Sequence, residues 1–255
     1  MQNSPMRKIS LIGIGAGNPE FVTVQAVRVL NEIDVVFLVD KGDAKAGLVH
    51  LREEICARYI TDQDGYRVVE VQDPPRDRAA EQYQDAVDDW RLRRAVLFEE
   101  ALAANLGEDQ HGAFLVWGDP ALYDSTLGVI DHILARGAIV FDYEVVPGIT
   151  SVQALAAAHR IPLNRTAEPI HITTGRLLRD GLPGDNVVVM LDAGLAATEL
   201  DDPGLTLYWG AYLGTPDEVL VSGRLVDVAG DVERTKRELR ERHGWVMDTY
   251  VIRRE

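Results

Sequence analysis

Three short apolar runs in the first 150 residues each end in a loop containing glycine or proline that leads into a helical pattern. The loops read GIGAGNPE (residues 13–20), WGDPALYDST (117–126) and VPGITS (146–151). A short, uninterrupted apolar run is typical of a strand that is buried on both faces, as in a parallel sheet. Because parallel strands end at the same edge of their sheet, we expect the three loops to open together, at the edge where α/β folds bind ligands.

The remaining pattern divides the chain into two α/β parts. Residues 8–14, 23–33 and 35–39 predict an opening strand, helix and strand. Residues 42–110 are highly charged and mostly helical in pattern, with one strand at 66–71, and we interpret them as a helical insert. After residue 160 strand patterns dominate, at 169–173, 186–191, 205–213, 219–222 and 245–252, with one helical pattern at 231–241. We therefore predict an N-terminal α/β domain at 1–160 and a strand-rich C-terminal α/β domain at 161–255, within the size range of two modest domains.

Charge and cysteine content exclude several classes of protein. The chain carries 26 Lys and Arg against 41 Asp and Glu, a formal net charge of −15. This acidity disfavours nucleic acid or an anionic membrane as the main partner. Cys56 is the only cysteine, so an intrachain disulfide and a four-cysteine metal site are impossible, and we expect no metal. Apolar runs such as 35–39 and 187–191 are far shorter than the roughly 18 residues of a membrane span, and the start lacks the apolar region of a signal peptide. We expect a soluble cytoplasmic protein.

Each loop has a ligand-binding and a structural interpretation. The first differs from the GxGxxG loop of dinucleotide-binding proteins, because Asn18 occupies the place of the third glycine; it is either a different ligand loop or a tight turn. In the second loop, Asp119 is a candidate base or ligand contact, and Asp124 or Ser125 a candidate helix N-cap. In the third, Thr150 or Ser151 is a candidate N-cap that leaves the first helical amides free for a ligand.

The three loops resemble, in order, the three motifs of the tetrapyrrole methylase family. The first match extends to Thr23 and Ala26, the second to Tyr123, and the third to the segment IPL at 161–163. The resemblance covers nearly the whole chain and differs at Asn18, where most members have aspartate. It implies two α/β domains with a cofactor cleft between them, S-adenosylmethionine as cofactor, a tetrapyrrole substrate and a homodimer.

The insert resembles that of one group within the family. Its segment DPPRDR (73–78) is followed by Tyr83, Trp90 and Arg94. Members of that group methylate carbon 1 of precorrin-5, an intermediate of cobalamin biosynthesis, and release acetate. Alternatives are another member of the family (a diphthine synthase or a ribosomal-RNA methylase), a nicotinamide-dependent dehydrogenase, or a ligand sensor without activity.

The resemblance also implies cofactor contacts at matching positions of both predicted domains. In the loops these are Gly15, Gly17, Trp117, Gly118, Asp119, Thr150 and Ser151. In the C-terminal part they are Met190, Ala211, Tyr212 and Thr249.

Acetate release requires water to attack an acetyl carbonyl, which calls for a base and an oxyanion donor. Asp119 is our first candidate for the base and His171 the second; Asp40 and Asp124 are further choices. The substrate's carboxylates suit arginine, whose guanidinium binds them through two parallel hydrogen bonds. The candidates are Arg76, Arg78, Arg91, Arg94 and Arg176. Arg91 and Arg94 are three residues apart and would share one helix face; the alternative is a solvated face that pairs with nearby carboxylates.

Overall fold

The computed structural model describes residues 6–40, 46–75 and 83–254. The chain forms two compact units: unit 1, Met1–Gly15 and Pro19–Ile149, and unit 2, Ala16–Asn18 and Thr150–Glu255. The division therefore falls at Ile149 and Thr150, whereas the sequence pattern placed a boundary near residue 160. The helix between these points accounts for the difference, because it packs on strands of unit 2.

Unit 1 is built on a five-stranded parallel sheet. Its strands are β1 (Arg7–Gly13), β2 (Val35–Asp40), β3 (Arg67–Gln72), β4 (His111–Val116) and β5 (Phe141–Val146). They lie in the order β3-β2-β4-β1-β5, and every neighbouring pair is parallel. β4 is buried along its whole length, as the apolar run at 113–116 predicts. The strand predicted at 66–71 is present as the edge strand β3.

Helices cover both faces of this sheet. They are α1 (Val24–Leu30), α2 (Ala46–Tyr59), α3 (Tyr83–Asn105) and α4 (Thr126–Arg136). Side chains of α1 and α2 pack with Ile12, Val36 and Leu115 on one face, and those of α3 and α4 pack with Leu11 and Phe114 on the other. Alternate strand residues face opposite sides, so Ala113 and Leu115 of β4 enter one apolar layer and Phe114 enters the other.

Unit 2 contains a mixed five-stranded sheet. Its strands are β6 (His171–Thr174), β7 (Asn186–Met190), β8 (Leu205–Ala211), β9 (Val219–Arg224) and β10 (Asp248–Arg254), in the order β6-β7-β10-β8-β9. β6 and β7 are parallel, and the other neighbouring pairs are antiparallel. Its helices are α5 (Ser151–His159), the short α6 (Gly175–Leu178) and α7 (Leu225–His243). The α/β class with a second, strand-rich part is confirmed.

Two element bounds differ from the predicted ones for local reasons. β8 ends at Ala211, two residues before its predicted end, because Tyr212 has a left-handed backbone with φ +48° that interrupts the strand. α7 begins at Leu225, six residues earlier than its predicted start, and its first residue is buried in the core of unit 2. Within the three described ranges, no helix has both the length and the apolar character to cross a membrane.

Candidate functional site

The carboxyl ends of β1, β4 and β5 lie side by side, because β1 is hydrogen-bonded to β4 on one side and to β5 on the other. The first two loops are joined directly. The Gly15 amide donates to the Gly118 carbonyl oxygen at 3.2 Å, and the Gly118 amide donates to the Gly15 carbonyl oxygen at 2.8 Å. The prediction that the three loops meet at one edge of one sheet is confirmed.

Glycines allow the three loops to touch through their backbones. A Cβ atom at Gly13 would lie 2.6 Å from the Gly148 nitrogen and 2.9 Å from the Gly118 carbonyl oxygen. A Cβ atom at Gly148 would overlap that same Gly118 oxygen and lie 2.8 Å from the Gly13 Cα. Gly118 itself has φ +71°, which a residue with a Cβ atom rarely adopts. Contact between the loops is therefore a sufficient reason for glycine at these positions.

Replacing Gly148 with alanine is expected to lower the free energy of unfolding by about 2 kcal/mol or more, because backbone atoms cannot yield space as a flexible side chain does. Urea unfolding measures the change. Gly128→Ala is the matched control: Gly128 lies within α4, has no neighbouring atom within 4 Å of an added Cβ, and should gain up to about 1 kcal/mol. Equal stability of the two variants would contradict close packing of the loops.

The Asp119 carboxylate joins the second loop to the third. Its Oδ1 accepts the Ala121 amide at 2.7 Å, and its Oδ2 accepts the Gly148 amide at 2.8 Å. Both oxygens are thus engaged by the backbone, the arrangement of a residue that holds loops together. A role for Asp119 as a base stays a prediction: each carboxylate oxygen has a second acceptor site, and water would have to bind there.

The second and third loops also contain the N-terminal caps of helices, as the structural interpretation of these loops predicts. Thr150 is the N-cap of α5 and forms a capping box with Gln153, whose side chain accepts the Thr150 amide at 2.8 Å. Ser125 occupies the N-cap position of α4 without a side-chain cap bond. Asp124 supplies a contact there instead, since its Oδ1 accepts the Thr126 amide at 2.6 Å.

Arg94 lies in the interior of unit 1 and not on an exposed helix face. Its side chain is 2% exposed, its Nε forms an ion pair with Asp73 at 2.9 Å, and its Nη1 donates to the Ser125 hydroxyl at 2.5 Å. The guanidinium also stacks over Trp90 and Phe98. Burial lowers the pKa of Arg94, and the neighbouring carboxylates oppose that shift. The expectation that Arg94 binds substrate stays a prediction, and such a role would require its guanidinium to exchange Asp73 or Ser125 for a substrate carboxylate.

Sequence reasoning did not anticipate a second buried arginine, Arg52 on α2. The β2–β4 pairing ends at Phe37 and Phe114 although both strands continue, and the Arg52 Nε donates to the Leu115 carbonyl oxygen at 2.9 Å. Burial lowers the pKa of Arg52 to about 10, against the opposing effect of Asp124. Its position beside Leu51 in the apolar stripe of α2 is the signal that would have revealed it.

The other predicted substrate arginines have different surroundings. Arg91 is partly exposed and pairs with Asp88 at 3.3 Å, in agreement with the alternative of a charge-paired helix face. Arg176 is exposed in α6, directly after the end of β6. Arg76 and Arg78 lie outside the described residues, as does the side chain of the further base candidate Asp40.

In unit 2, four predicted cofactor residues lie near one edge of the sheet. Met190 ends β7 and is opposite Thr249 of β10, and Ala211 ends β8 and is opposite Asp248. Tyr212 follows Ala211, donates its amide to Met247 at 2.9 Å and its hydroxyl to the Trp245 carbonyl oxygen. The four residues of unit 2 that the sequence predicts as cofactor contacts therefore lie at neighbouring strand ends in the structure.

Their side chains are not equally available to a ligand. The Thr249 hydroxyl is buried and donates to the Val189 carbonyl oxygen at 2.9 Å, and Ala211 is fully buried. Met190 is partly exposed, and the next residue, Leu191, is 66% exposed with φ +53°. An exposed apolar side chain on a strained backbone is the feature of this edge that most suggests a ligand contact.

Gly17 belongs to unit 2 and approaches the backbone that follows β8. A Cβ atom at Gly17 would overlap the Leu213 carbonyl oxygen and lie 2.8 Å from the Thr215 methyl group. Its φ of +149° also favours glycine. Ser151, in contrast, is the first residue of α5, and Trp117 in unit 1 packs at the margin of the apolar layer formed with α1 and α2.

His171 and Met190 lie at opposite ends of the paired strands β6 and β7 in unit 2. His171 is the first residue of β6, whereas Thr174, the last, is paired with Met190. Three residues of strand separate the two ends, about 10 Å. The His171 ring packs against Gly184, where an added Cβ would lie 2.7 Å from the ring Cδ2. The structure does not bring His171 together with the predicted cofactor residues of unit 2.

A buried ion pair supports the edge at Met190. The Lys236 ammonium donates to the Asp248 carboxylate at 2.6 Å and to the Asp192 carbonyl oxygen at 2.8 Å, and the Trp209 indole donates to Asp248 at 2.7 Å. Burial raises the pKa of Asp248, and Lys236 opposes that shift. The signal for this pair was Lys236, a charged residue four positions after Val232 on the buried face of α7.

Comparisons with known proteins agree with this arrangement. The family model for tetrapyrrole (corrin/porphyrin) methylases matches residues 8–229. A precorrin-6A synthase (deacetylating) from Sinorhizobium sp is 48% identical over 256 residues, which covers 100% of this chain and 98% of that protein. The crystal structure of a cobalamin synthesis related protein (CobF) from Corynebacterium diphtheriae is 39% identical with a TM-score of 0.85, and the match covers 98% of this chain and 99% of that one.

A more distant structure shares the fold. Uroporphyrin-III C-methyl transferase from Thermus thermophilus, complexed with S-adenyl homocysteine, is 21% identical with a TM-score of 0.59, and the match covers 96% of each chain. The three loops at one sheet edge, the family match over 8–229 and the 48% identity along the full length lead to one assignment. The chain belongs to the tetrapyrrole (corrin/porphyrin) methylase family.

Proposed function

We propose that this chain is a precorrin-6A synthase (deacetylating), which transfers a methyl group from S-adenosylmethionine to carbon 1 of precorrin-5 and releases acetate, giving precorrin-6A. The observation that carries the proposal is the 48% identity to the Sinorhizobium enzyme over 100% of this chain. That alignment includes the charged insert at 42–110, the part of the sequence that resembles one group of the family.

The residues at the two sheet edges suit the chemistry of S-adenosylmethionine. In unit 2, Met190 and the 66% exposed Leu191 offer apolar surface for an adenine ring. In unit 1, Gly118 has a positive φ and no side chain, which lets a ligand approach the loop backbone. An added Cβ at Gly15 would lie 2.6 Å from the Phe21 Cβ, so the contribution of Gly15 would come from its backbone. We propose these positions as cofactor contacts, together with Trp117 in unit 1 and with Gly17, Thr150, Ser151, Ala211, Tyr212 and Thr249 in unit 2. Ala211 and Thr249 are buried side chains, so their contribution would come from the backbone.

S-adenosylmethionine, when bound, supplies a methyl group on a positively charged sulfur. The protein's part in such a displacement is chiefly alignment, which can be worth several kcal/mol of the barrier (about 7–11 kcal/mol in well-oriented systems). The loop edge suits such alignment, because the Gly15–Gly118 bridge and the Asp119–Gly148 hydrogen bond hold the loops of unit 1 in one geometry.

Acetate release needs a base for water and donors for the developing oxyanion. The assignment of Asp119 as the base stays a prediction: it lies at the loop edge, but its two oxygens accept backbone amides, an arrangement that favours a role in positioning the loops. For the substrate carboxylates we propose Arg91, which is partly exposed, and Arg176, which lies two residues after Thr174, the β6 residue paired with Met190. We further propose a homodimer, as the family resemblance implies; sedimentation analysis tests it.

Turnover with defined substrates tests the function. Purified protein is incubated without oxygen with precorrin-5 and S-adenosylmethionine, and the product is analysed by mass spectrometry and by an acetate assay. We expect a product that has gained one methyl group and lost its acetyl group, with one acetate per turnover. Binding of S-adenosylhomocysteine without any turnover would instead indicate a sensor, and binding of NAD with hydride transfer would indicate a dehydrogenase.

Replacing Leu191 with aspartate is expected to weaken S-adenosylhomocysteine binding about tenfold, because the change removes apolar contact area with the adenine. Aspartate tolerates a left-handed backbone better than most residues, so the loop should keep its shape. Calorimetric titration measures the affinity. Val226→Asp is the control, since Val226 is 56% exposed in the first turn of α7 in the same unit. Equal affinity of both variants would remove Leu191 from the cofactor contacts.

A further inference from the structure

Tyr123, in the loop after β4, is an exposed aromatic residue on a strained backbone. Its φ is +52°, in the left-handed region that residues with a Cβ atom rarely adopt, and its side chain is 44% exposed. It belongs to neither of the two apolar layers of unit 1. Tyr123 therefore combines a left-handed backbone with a ring that is partly exposed, a combination that is typical of functional positions.

The backbone before Tyr123 is held by Asp119. The Asp119 carboxylate accepts the Ala121 amide at 2.7 Å and the Gly148 amide at 2.8 Å, and its carbonyl oxygen accepts the Leu122 amide at 3.2 Å. These bonds fix the direction in which the chain reaches Tyr123 and tie the loop to the loop after β5.

The backbone after Tyr123 is held by charged groups. The Asp124 carboxylate accepts the Thr126 amide at 2.6 Å, and the buried Arg94 donates to the Ser125 hydroxyl at 2.5 Å. Arg94 is in turn paired with Asp73. The backbone is thus hydrogen-bonded on both sides of Tyr123, which has the left-handed conformation and a side chain that is 44% exposed.

The position and chemistry of the ring point to the substrate. The loop lies at the carboxyl edge of the unit 1 sheet, beside the loop of β1 to which it is bonded. A flat aromatic ring with a polar tip suits a large ring system that carries polar substituents at its rim. We propose that Tyr123 is a specificity-determining residue whose ring packs against the face of the tetrapyrrole macrocycle. This proposal rests on the proposed function.

Three substitutions at Tyr123 distinguish the effects of the ring, of its hydroxyl group and of the backbone strain. Tyr123→Ala is expected to raise KM for precorrin-5 about tenfold, and Tyr123→Phe to change it by less than about twofold, because packing resides in the ring. Tyr123→Gly also removes the ring, but glycine accepts φ +52°; it should show the same rise in KM with an unchanged or higher Tm. Affinity for S-adenosylhomocysteine should be unchanged in all three.

Leu134→Ala is the control, because Leu134 is an exposed apolar residue of α4 in the same unit, 38% exposed; its KM should equal that of the parent chain. An unchanged KM in Tyr123→Ala and Tyr123→Gly overturns the proposal. So does a fall in Tm in Tyr123→Gly, which would show that the ring serves packing. If the parent chain shows no turnover, the proposed function fails. The role of Tyr123 is then tested by direct binding of precorrin-5, measured through quenching of protein fluorescence. Equal affinity of the parent chain and the Tyr123→Ala variant overturns the proposal.

Discussion

Replacing Arg94 with alanine is expected to lower the free energy of unfolding by about 3–5 kcal/mol, because the change leaves a largely buried carboxylate without its partner. Asp73 is only 12% exposed and lies 2.9 Å from the Arg94 Nε. The same change removes the donor to Ser125 and the stacking over Trp90 and Phe98. Urea unfolding at neutral pH, followed by circular dichroism, measures the loss.

Arg93→Ala is the matched control on the same helix. Arg93 is exposed and pairs with Asp89 at 3.0 Å, and exposed pairs contribute about 0–1 kcal/mol. Adding Asp73→Asn to the Arg94→Ala variant should restore part of the stability, since it removes the unpaired charge. If Arg94→Ala were as stable as the parent chain and raised KM for the tetrapyrrole, Arg94 would be the substrate ligand that its sequence position suggested.

Replacing Asp119 with asparagine is expected to slow methyl transfer and acetate release in equal proportion, by about 100-fold. The reason is geometric: asparagine keeps one acceptor oxygen, so its amide group would face one of the two backbone amides of Ala121 and Gly148. The link between the second and third loops would then loosen, and a displacement of about 1 Å at a reacting centre can cost about 100-fold in rate.

Measuring both products distinguishes the two roles of Asp119. Methylation is followed by mass spectrometry and acetate by an enzymatic assay, in single-turnover reactions. Asp142→Asn is the control, because Asp142 is exposed on β5 and accepts the neighbouring amide of Tyr143. If acetate release alone fell, and a methylated product that retains its acetyl group accumulated, Asp119 would be the base and not a residue that positions the loops.

The buried arginines give the insert a structural role in unit 1. α2 contributes Arg52 to the Leu115 carbonyl oxygen, and α3 contributes Arg94 to Ser125 at the second loop. The helices that resemble one group of the family therefore support the loop that carries Tyr123. This arrangement connects the insert, which resembles that of one group of the family, with the second loop.

The order of strands, loops and helices could be read from the sequence because the physics that produces them is local. Short apolar runs predict buried strands, and glycine or proline at their ends predicts the turns that followed β1, β4 and β5. Even the edge strand β3, within the charged insert, had a recognisable pattern. The parallel arrangement then brought the three loops to one edge without further information.

The roles of individual charged residues depended on the tertiary structure. Arg94 and Arg91 are three positions apart on α3, yet one is buried with Asp73 and the other is partly exposed with Asp88. Sequence spacing gives the angle between two side chains on a helix, but not which neighbouring element covers them. His171 is similar: its strand was predicted, but pairing with β7 decided that it lies at the strand end away from Met190.

The partners of the loop residues also depended on the tertiary structure. The glycines of the three motifs indicate close approach, but only the fold shows that Gly13, Gly118 and Gly148 approach one another. Asp119 and Lys236 likewise acquired their partners, Gly148 and Asp248, from segments 29 and 12 residues away. Backbone propensity and apolar periodicity act over a few neighbouring residues and are written in the sequence, whereas burial and hydrogen bonding of a charge are set by whichever distant segment packs against it.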